Sequence, residues 1–336
     1  IGEGECDCNG NVLDCNDECG GEAEYDDCGI CNGYNSNQDC NGDCFGDAYL
    51  DECDECVGGN TGFEECSSNV DISIDLHTGA NLVSFYGIPE DNSLYNMMYS
   101  LNDVMIGVIG EGLAANLLPT GNWVGSLTSI SQTSGYWIKI SGDAILSVPD
   151  AIPSDPSLVY NLHSGANLIS YPSAVSMPIG DAISEEFHDY INGVIGEGVA
   201  ASLLPNGAWA GSLTNLNGGK GYWFKVSDDF EFNFNISEEE LVRSNNYSDI
   251  KKYPKNKGYA QSTNQGFYFI EDILIDQEPI NQGAWVLAYN DDVLVGARQW
   301  NGQYTDVPAM GYDNSLETNG YAIEGDNIRF EILDLN

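Results

Sequence analysis

The residues best suited to chemistry in this chain are cysteines and carboxylates, and they are concentrated at its start. The first 66 residues hold all eleven cysteines and nineteen acidic residues, with no Lys or Arg. A segment this polar cannot bury enough apolar surface to fold by itself. We therefore expect two other sources of order, disulfide bonds and bound hard cations. This combination is typical of proteins outside the reducing cytoplasm, where calcium is plentiful.

The cysteines recur with a period of 25 residues, which carries Cys6 to Cys31 and Cys56. When Cys8 is left out, long and short gaps between successive cysteines alternate, and the long gaps are near constant. The long gaps predict a ladder of disulfides: Cys6–Cys15, Cys19–Cys28, Cys31–Cys40, Cys44–Cys53 and Cys56–Cys66. Cys8 is left over, which in an oxidised protein indicates a free thiol or a bond to another chain. Zinc bound by Cys28-x-x-Cys31 and Cys53-x-x-Cys56 is the alternative. The segment lacks His, however, and its carboxylates suit calcium better than a thiolate-bound metal.

Calcium sites are predicted where the carboxylates alternate with other residues in tight loops, because alternate residues direct their oxygen atoms to one centre. Gly42 and Gly46 permit the sharp turns that such a loop needs. A solvated acidic face without a defined site is the alternative, but these carboxylates keep register with the cysteines. The predicted ligands form two sets, Asp39, Asn41, Asp43, Asp47 and Asp51, and their copy Asp14, Asn16, Glu18, Glu22 and Asp26.

Two stretches of this segment, DDCGICNG at 26–33 and DECDECVGG at 51–59, carry a family resemblance. They resemble thrombospondin type 3 repeats and the acidic, cysteine-rich repeats of secreted bacterial surface proteins. The resemblance implies that residues 1–69 wrap around calcium ions with little regular secondary structure.

A second duplication begins beyond residue 69. The sequence LHTGANLVS at 76–84 returns as LHSGANLIS at 162–170, a shift of 86 residues, and GVIGEG, GSLT and GYW follow with the same shift. No insertion interrupts the register, which predicts two copies of one small domain. We name them copy 1 (residues 70–150) and copy 2 (residues 157–235). Both resemble modules of uncharacterised secreted bacterial proteins, which implies a surface location but no particular activity.

Within each copy, strands and one helix are predicted. Strands are expected at 80–85 and 135–140 in copy 1, and at 166–171 and 221–226 in copy 2. Trp123 and Trp209 should occupy matching core positions. GVIGEG lacks the Lys of a phosphate loop and carries Glu where an anion would bind, so it predicts no phosphate site. Apolar residues at helical spacing predict the helices: Leu94, Met97, Met98 and Leu101 after a cap at Asn92 or Ser93, and Ile179, Ile183, Phe187 and Tyr190.

The C-terminal domain (residues 258–336) is dense in strand signals separated by Gly, Asn and Asp turns, which predicts a β-sandwich. Asn290-Asp291-Asp292 between two apolar runs predicts a hairpin. The stretch WVLAYNDDVLVGARQW resembles another module of secreted bacterial proteins. Four of its residues could line a platform for a sugar ring, because aromatic faces stack on sugars, although core packing is the more common role of such residues: Trp285, Tyr289, Arg298 and Trp300. The predicted fold class is therefore a mainly β, multidomain chain with a disulfide- and calcium-stabilised N-terminal segment.

The linker at 236–257 differs from the rest of the chain because it is basic. In a chain of net charge −43 it is where an acidic surface, such as another copy of the chain, would dock. A simple tether between domains is the alternative. Asn235-Ile-Ser and Asn246-Tyr-Ser are glycosylation sequons. Five of the ten basic residues lie in the linker: Arg243, Lys251, Lys252, Lys255 and Lys257.

No catalytic arrangement emerges, and His77 and His163 occupy equivalent positions in the two copies, which indicates a structural role. The negative charge argues against nucleic-acid binding, and no apolar run is long enough to span a membrane. The start at Ile1 without a signal peptide is expected of a mature chain. We expect a secreted structural protein, not an enzyme, that assembles with copies of itself into a surface fibre. The alternative is an adhesin or carbohydrate-binding protein.

Overall fold

The computed structural model describes residues 2–51, 55–63, 69–155, 157–236 and 258–333. The chain divides into two compact units, Ile1–Ser68 and Asn69–Asn336. It is mainly β, with several separate sheets and with its disulfides in the N-terminal unit. These features confirm a mainly β, multidomain chain with a disulfide-bonded N-terminal segment.

The N-terminal unit is a series of short turns, each closed by one pair of opposed backbone residues, or by two pairs in the last turn. Among its described residues only Ala48 and Val57 are buried and apolar, so apolar packing contributes little to its order. The last turn is the strand pair β1 (Tyr49–Leu50) and β2 (Cys56–Val57). Opposed pairs begin at positions 13, 25, 38 and 50, so the structural period is half of the sequence repeat: Leu13 with Cys19, Tyr25 with Cys31, Gln38 with Cys44, and Leu50 with Cys56.

Disulfides link each turn to the next one, in overlapping loops. Cys15 lies inside the loop closed by Cys6 and Cys19, and Cys28 lies inside the loop closed by Cys15 and Cys31. The bonds are Cys6–Cys19, Cys15–Cys31, Cys28–Cys44 and Cys40–Cys56. Because Cys28 and Cys31 belong to separate disulfides, this pair is not a zinc site. Cys8 is exposed and takes no part in the disulfides of the described residues, as its leftover position predicted.

The predicted ladder of disulfides is therefore wrong. It assumed that evenly spaced neighbours pair, but each turn reverses the chain and brings a cysteine of the following turn within reach. Cα atoms of Cys15 and Cys31 are 5.5 Å apart, within the range that a disulfide spans. The pairs Cys6–Cys15, Cys19–Cys28, Cys31–Cys40, Cys44–Cys53 and Cys56–Cys66 are all excluded, because each contains a cysteine bonded elsewhere; Cys53 and Cys66 themselves lie outside the described residues.

Copy 1 is built on a five-stranded antiparallel sheet with the order β4-β9-β6-β7-β8. A second sheet of three strands, β3-β10-β5, closes its core. The predicted strands at 80–85 and 135–140 correspond to β4 and β9. The bounds are β3 Val70–Leu76, β4 Gly79–Val83, β5 Gly87–Ile88, β6 Met105–Ile109, β7 Ala114–Leu117, β8 Trp123–Gly125, β9 Tyr136–Ile140 and β10 Ala144–Pro153.

Copy 2 repeats this five-stranded sheet with the order β12-β18-β14-β15-β16. The register repeats as well, since Leu82 pairs with Trp137 in copy 1 and Leu168 pairs with Trp223 in copy 2. Two further pairs, β11-β19 and β13-β17, complete it. The bounds are β11 Tyr160–Leu162, β12 Gly165–Ile169, β13 Met177–Pro178, β14 Ile191–Ile195, β15 Ala200–Leu203, β16 Trp209–Gly211, β17 Asn215–Leu216, β18 Tyr222–Val226 and β19 Phe230–Phe232.

The glycine of each GSLT motif explains why the motif is kept in both copies. Gly125 has φ of 151°, and a Cβ there would lie 2.1 Å from the carbonyl oxygen of Ala114. Gly211 has φ of 128°, and a Cβ there would lie 2.3 Å from the carbonyl oxygen of Ala200. Only glycine permits the two strands to approach this closely.

The helical segments are short. In copy 1, α1 (Leu94–Met97) begins at the predicted cap Ser93 and is followed by a 3₁₀ turn, Tyr99–Leu101. In copy 2, α2 (Ile179–Ala182) is followed by the 3₁₀ turn Glu185–Phe187. The predicted apolar residues of copy 1 are all buried, whereas Tyr190 at the end of the copy 2 series is 40 % exposed.

Trp123 and Trp209 occupy matching strands, β8 and β16, but they are only partly buried and pack against the edges of the two cores. The expectation of matching positions is met, although both side chains lie at the edge of the core rather than at its centre. The strands that carry these residues are the outermost strands of their sheets, which explains why the burial of both tryptophans is only partial.

The C-terminal domain is a small β-sandwich. The sheet β24-β23-β26 and the pair β20-β25 enclose a core that contains Val286, Val295 and Val307. The predicted hairpin is confirmed, because Asn290 ends β23 and pairs with Val293 at the start of β24. The bounds are β20 Gln265–Ile270, β21 Leu274–Ile275, β22 Glu278–Pro279, β23 Trp285–Asn290, β24 Val293–Gln299, β25 Thr305–Met310 and β26 Ile328–Leu333.

The five basic residues predicted for docking lie outside the described residues, as does the sequon at Asn246. Asn235 is exposed, and its side chain donates to the carbonyl oxygen of Asp181 at 3.1 Å. None of the described helices is long and apolar enough to cross a bilayer.

Candidate functional site

The predicted calcium ligands at the start of each acidic turn have a structural role. Asp14, Asp26 and Asp39 each accept hydrogen bonds from three backbone N–H groups, two, four and nine residues further along the chain. The acceptor distances are 2.9, 2.9 and 3.2 Å for Asp14, 3.0, 2.9 and 3.1 Å for Asp26, and 3.0, 2.9 and 3.0 Å for Asp39. Asp51 repeats the bond to the fourth residue, Glu55, at 2.9 Å. These aspartates therefore fold the turns.

Hydrogen bonding to the charged form of a carboxylate lowers its pKa. The N–H of Glu18 is the main cause of the lowered pKa of Asp14. For Asp39, desolvation raises the pKa, but the N–H groups led by that of Ala48 outweigh it. Both side chains are thus held as acceptors in the charged state.

The remaining predicted ligands are only partly brought together. Asn41 donates to Asp43 at 3.0 Å, while Asn16, Glu18, Glu22 and Asp47 are exposed. Across the described ranges, no group of three or more His, Cys, Asp or Glu side chains is positioned to hold a metal ion. The calcium sites therefore stay a prediction.

Copy 1 and copy 2 meet at an interface with pseudo-two-fold symmetry. Nε2 of His77 in copy 1 lies 2.6 Å from Oε1 of Glu197 in copy 2. The equivalent atoms 86 residues away repeat the contact, with Nε2 of His163 lying 2.5 Å from Oε1 of Glu111. Each glutamate thus links the GVIGEG turn of one copy to the GAN strand of the other.

The second oxygen of each glutamate accepts a backbone N–H from the opposite copy. Glu197 accepts from Leu82 at 2.9 Å, and Glu111 accepts from Leu168 at 2.8 Å. The hydrogen bond with Glu197 is the main cause of the raised pKa of His77. Burial alone would raise the pKa of Glu197, but Lys220 and His77 hold that pKa below its usual value.

Apolar residues fill the centre of this interface. Leu82 and Trp137 of copy 1 and Leu168 of copy 2 are buried, and Trp223 packs against them. Backbone bonds flank the cluster on both sides, from Gly135 N to Leu168 O at 3.0 Å and from Gly221 N to Leu82 O at 3.2 Å. The two copies thus share a continuous, hydrogen-bonded and apolar contact.

The C-terminal domain docks on copy 2 through a buried polar network. Oδ2 of Asp306 accepts from Ala200 N at 3.1 Å and from Ser212 Oγ at 2.6 Å. Nη2 of Arg298 donates to the carbonyl oxygen of Gly198 at 2.7 Å and lies 3.1 Å from Oδ2 of Asp306. Desolvation raises the pKa of Asp306 despite the arginine.

Two further contacts extend this docking. The side chain of Gln265 donates to Gly196 O at 2.8 Å and accepts from Gly198 N at 3.2 Å. Lys139 of copy 1 donates to Oδ2 of Asp313 at 2.9 Å. The C-terminal domain therefore contacts both copies.

The residues considered for a sugar platform do not form one. Trp300 and Arg298 are each 5 % exposed, Trp300 in the sandwich core and Arg298 in the docking network. Tyr289 and Trp285 are half-buried, and the guanidinium of Arg329 lies 4.9 Å from the centre of the Tyr289 ring.

Sequence reasoning missed both interfaces. The available signal was the exact return of His, Glu, Leu and Trp at the same four positions in both copies. That signal shows which residues recur, but not that each histidine contacts the glutamate of the other copy. Comparison of the chain with protein-family models, with curated proteins and with solved structures found no match.

Proposed function

We propose that this chain is a secreted structural protein that is stabilised by disulfides and calcium and assembles with copies of itself. The observation that carries the proposal is the run of four overlapping disulfides through an acidic segment with almost no apolar core. Such bonds form and persist in oxidising surroundings, and they replace the core that a short polar segment cannot build.

The arrangement of unit Asn69–Asn336 supports a structural role. Copy 1, copy 2 and the C-terminal domain each have a core of their own. An apolar cluster joins the two copies, and a buried polar network joins copy 2 to the C-terminal domain. Satisfied buried networks of this kind fix the positions of neighbouring domains. A body fixed in this way is suited to bearing load and to presenting the same surface to each neighbour.

Calcium would act on the acidic segment. Nineteen acidic residues repel one another in the first 66 positions, and no Lys or Arg there offsets them. Glu18, Glu22 and Asp47 are exposed, so their oxygens are accessible to an ion from solvent. Calorimetric titration of the full chain should give calcium heat at about 1 mM, the range of extracellular modules. A flat titration would remove calcium from the proposal and leave the disulfide argument intact.

Self-assembly is tested by light scattering over a range of protein concentrations at about 1 mM calcium, with and without a chelator. The average mass should rise with concentration and should fall when calcium is removed, because calcium offsets the repulsion between acidic chains. A strictly monomeric mass in both conditions would contradict assembly.

One observation favours the second candidate, a carbohydrate-binding protein. A cleft of about 630 Å³ in the C-terminal domain is lined by Tyr268 and Tyr312 together with Asn264, Glu324 and Asp326. The two tyrosines are 41 % and 38 % exposed, and aromatic faces beside polar groups suit a sugar ring. Binding on a glycan array that is lost in Tyr312→Ala would support this candidate over assembly.

A further inference from the structure

The docking site for the C-terminal domain is present twice, and among the residues that the structure describes only one of the two sites is occupied. In copy 2 the groups that receive the domain are Gly196, Gly198, Ala200 and Ser212. Subtracting 86 gives Gly110, Gly112, Ala114 and Ser126, which are the same residue types in the same order. All four polar partners of the domain are therefore reproduced in copy 1.

The fifth partner is reproduced as well. Lys139 of copy 1 pairs with Asp313 of the domain docked on copy 2. Under the pseudo-two-fold relation that exchanges the copies, Lys139 corresponds to Lys225, which lies 86 residues further along the chain. Lys225 is exposed and forms no ion pair with any described residue. A domain docked on copy 1 would find a lysine in the corresponding place.

The site in copy 1 is open. Ala114 is exposed, whereas its counterpart Ala200 is buried. The N–H of Ala114 contacts Ser126 Oγ directly at 3.3 Å, where in copy 2 the carboxylate of Asp306 lies between the equivalent groups. Apart from the chain neighbours of Gly112, no atom of the described residues lies within 4 Å of a Cβ built there, while at Gly198 the side chain of Gln261 approaches to 3.2 Å.

The open site also exposes large apolar side chains. Leu113 is 47 % exposed and Val124 is 56 % exposed, and their counterparts Val199 and Ala210 are smaller and half-buried. An open cleft of about 740 Å³ adjoins Leu113. A C-terminal domain bound at copy 1 would form the same polar contacts as the domain docked on copy 2. It would also bury larger apolar side chains, which contributes more free energy.

We propose that this open site of copy 1 binds the C-terminal domain of a second copy of the chain. Asp306 of the incoming domain would accept from Ala114 N and Ser126 Oγ, Arg298 would donate to Gly112 O, and Asp313 would pair with Lys225. This inference rests on the proposed self-assembly and names its contact surface.

Because each chain has one such domain and two sites, binding in trans competes with docking in cis. Docking within the chain benefits from a high effective concentration, so exchange between chains is expected to depend on protein concentration. The contact is heterologous, since a C-terminal domain meets copy 1. Repetition of a heterologous contact gives an open, head-to-tail fibre unless the rotation closes a ring.

The test uses two matched double variants of the full chain. Ser126→Ala with Lys225→Ala removes two partners from the open site, and Ser212→Ala with Lys139→Ala removes the same two from the occupied site. Both variants are compared with the unaltered chain by light scattering at about 1 mM calcium. The first variant should assemble only at roughly tenfold higher protein concentration. The second should assemble at lower concentration, because it releases the C-terminal domain from copy 2. Unchanged near-ultraviolet circular dichroism serves as the folding control.

A measurement on the unaltered chain complements the variants. Amide hydrogen exchange across residues 112–114 should slow as protein concentration rises, since Ala114 N would gain a buried acceptor. If both double variants assemble as well as the unaltered chain, and amide hydrogen exchange at 112–114 does not change with concentration, the proposed site is wrong while self-assembly still holds. A monomeric mass at every concentration would overturn both.

Discussion

Glu197 in copy 2 accepts from His77 and from the backbone of Leu82, both in copy 1, and the pair formed by Glu111 and His163 reproduces this geometry in the opposite direction. In a two-fold dimer with an isologous interface, the same pair of residues meets twice, once in each direction. The duplicated domains therefore meet as the two subunits of a symmetric dimer do, although one chain carries both.

The interface should respond to pH through these pairs. The pKa of His77 and that of His163 are raised above the ordinary value of 6.5. Their contribution to stability is therefore complete below pH 6.5 and is lost as pH rises through the raised pKa values. Because the pKa of Glu197 is lowered, its contribution is present above its ordinary value of 4.5 and is lost as pH falls through the lowered pKa.

The measurement is thermal unfolding of the unaltered chain and of His77→Gln with His163→Gln between pH 6 and pH 9. The difference in Tm should be largest at pH 6 and should shrink towards pH 9, where the histidines are neutral. A difference that does not change with pH would show that the histidines act only as neutral hydrogen-bond donors.

Trp137 should be the most sensitive tryptophan of the two copies. It is 1 % exposed, and it packs with Leu82 and Leu168 across the interface. Trp137→Ala should cost about 3–5 kcal/mol in the free energy of unfolding, as other large-to-small core changes do. Trp123→Ala is the matched control and should cost less, because Trp123 is only partly buried at the edge of its core. Denaturant unfolding followed by tyrosine fluorescence measures both, and equal costs would contradict the prediction.

Asp39 should guide disulfide formation. Its carboxylate holds the N–H groups of Asn41, Asp43 and Ala48, and these bonds shape the turn that presents Cys40 to Cys56. After reduction and oxidative refolding, Asp39→Ala should yield fewer molecules with the Cys40–Cys56 bond, as measured by peptide mapping. The exposed Asp47→Ala is the control, and an equal loss there would point to net charge as the cause.

Cys8 should react as a free thiol in the native chain. It is exposed and outside the four disulfides, so iodoacetamide should modify Cys8 while leaving Cys6 and Cys15 unmodified. Cys8→Ser should leave Tm within about 1 °C of the unaltered chain. Failure of Cys8 to react under non-reducing conditions would indicate a covalent bond to a further partner.

Much of the fold could be predicted from the sequence because its signals are local. The 86-residue shift identified two copies, short apolar runs identified β4 and β12, alternation identified β9 and β18, and Ser93 identified the start of α1. The acidic, cysteine-rich composition indicated a segment ordered by disulfides. Each of these inferences depends on residues within a few positions of one another or on direct repetition.

Pairing across distance could not be predicted. The spacing of cysteines favoured neighbours, whereas the turns capped by Asp14, Asp26 and Asp39 reverse the chain and bring Cys15 to Cys31. The same holds for Glu197, which lies 120 residues from His77 in the chain and 2.6 Å from it in space. The sequence determined which groups recur. The tertiary structure decided which of them meet, because the two copies pack around a pseudo-two-fold axis. Across such an axis, the histidine of each copy contacts the glutamate of the other copy.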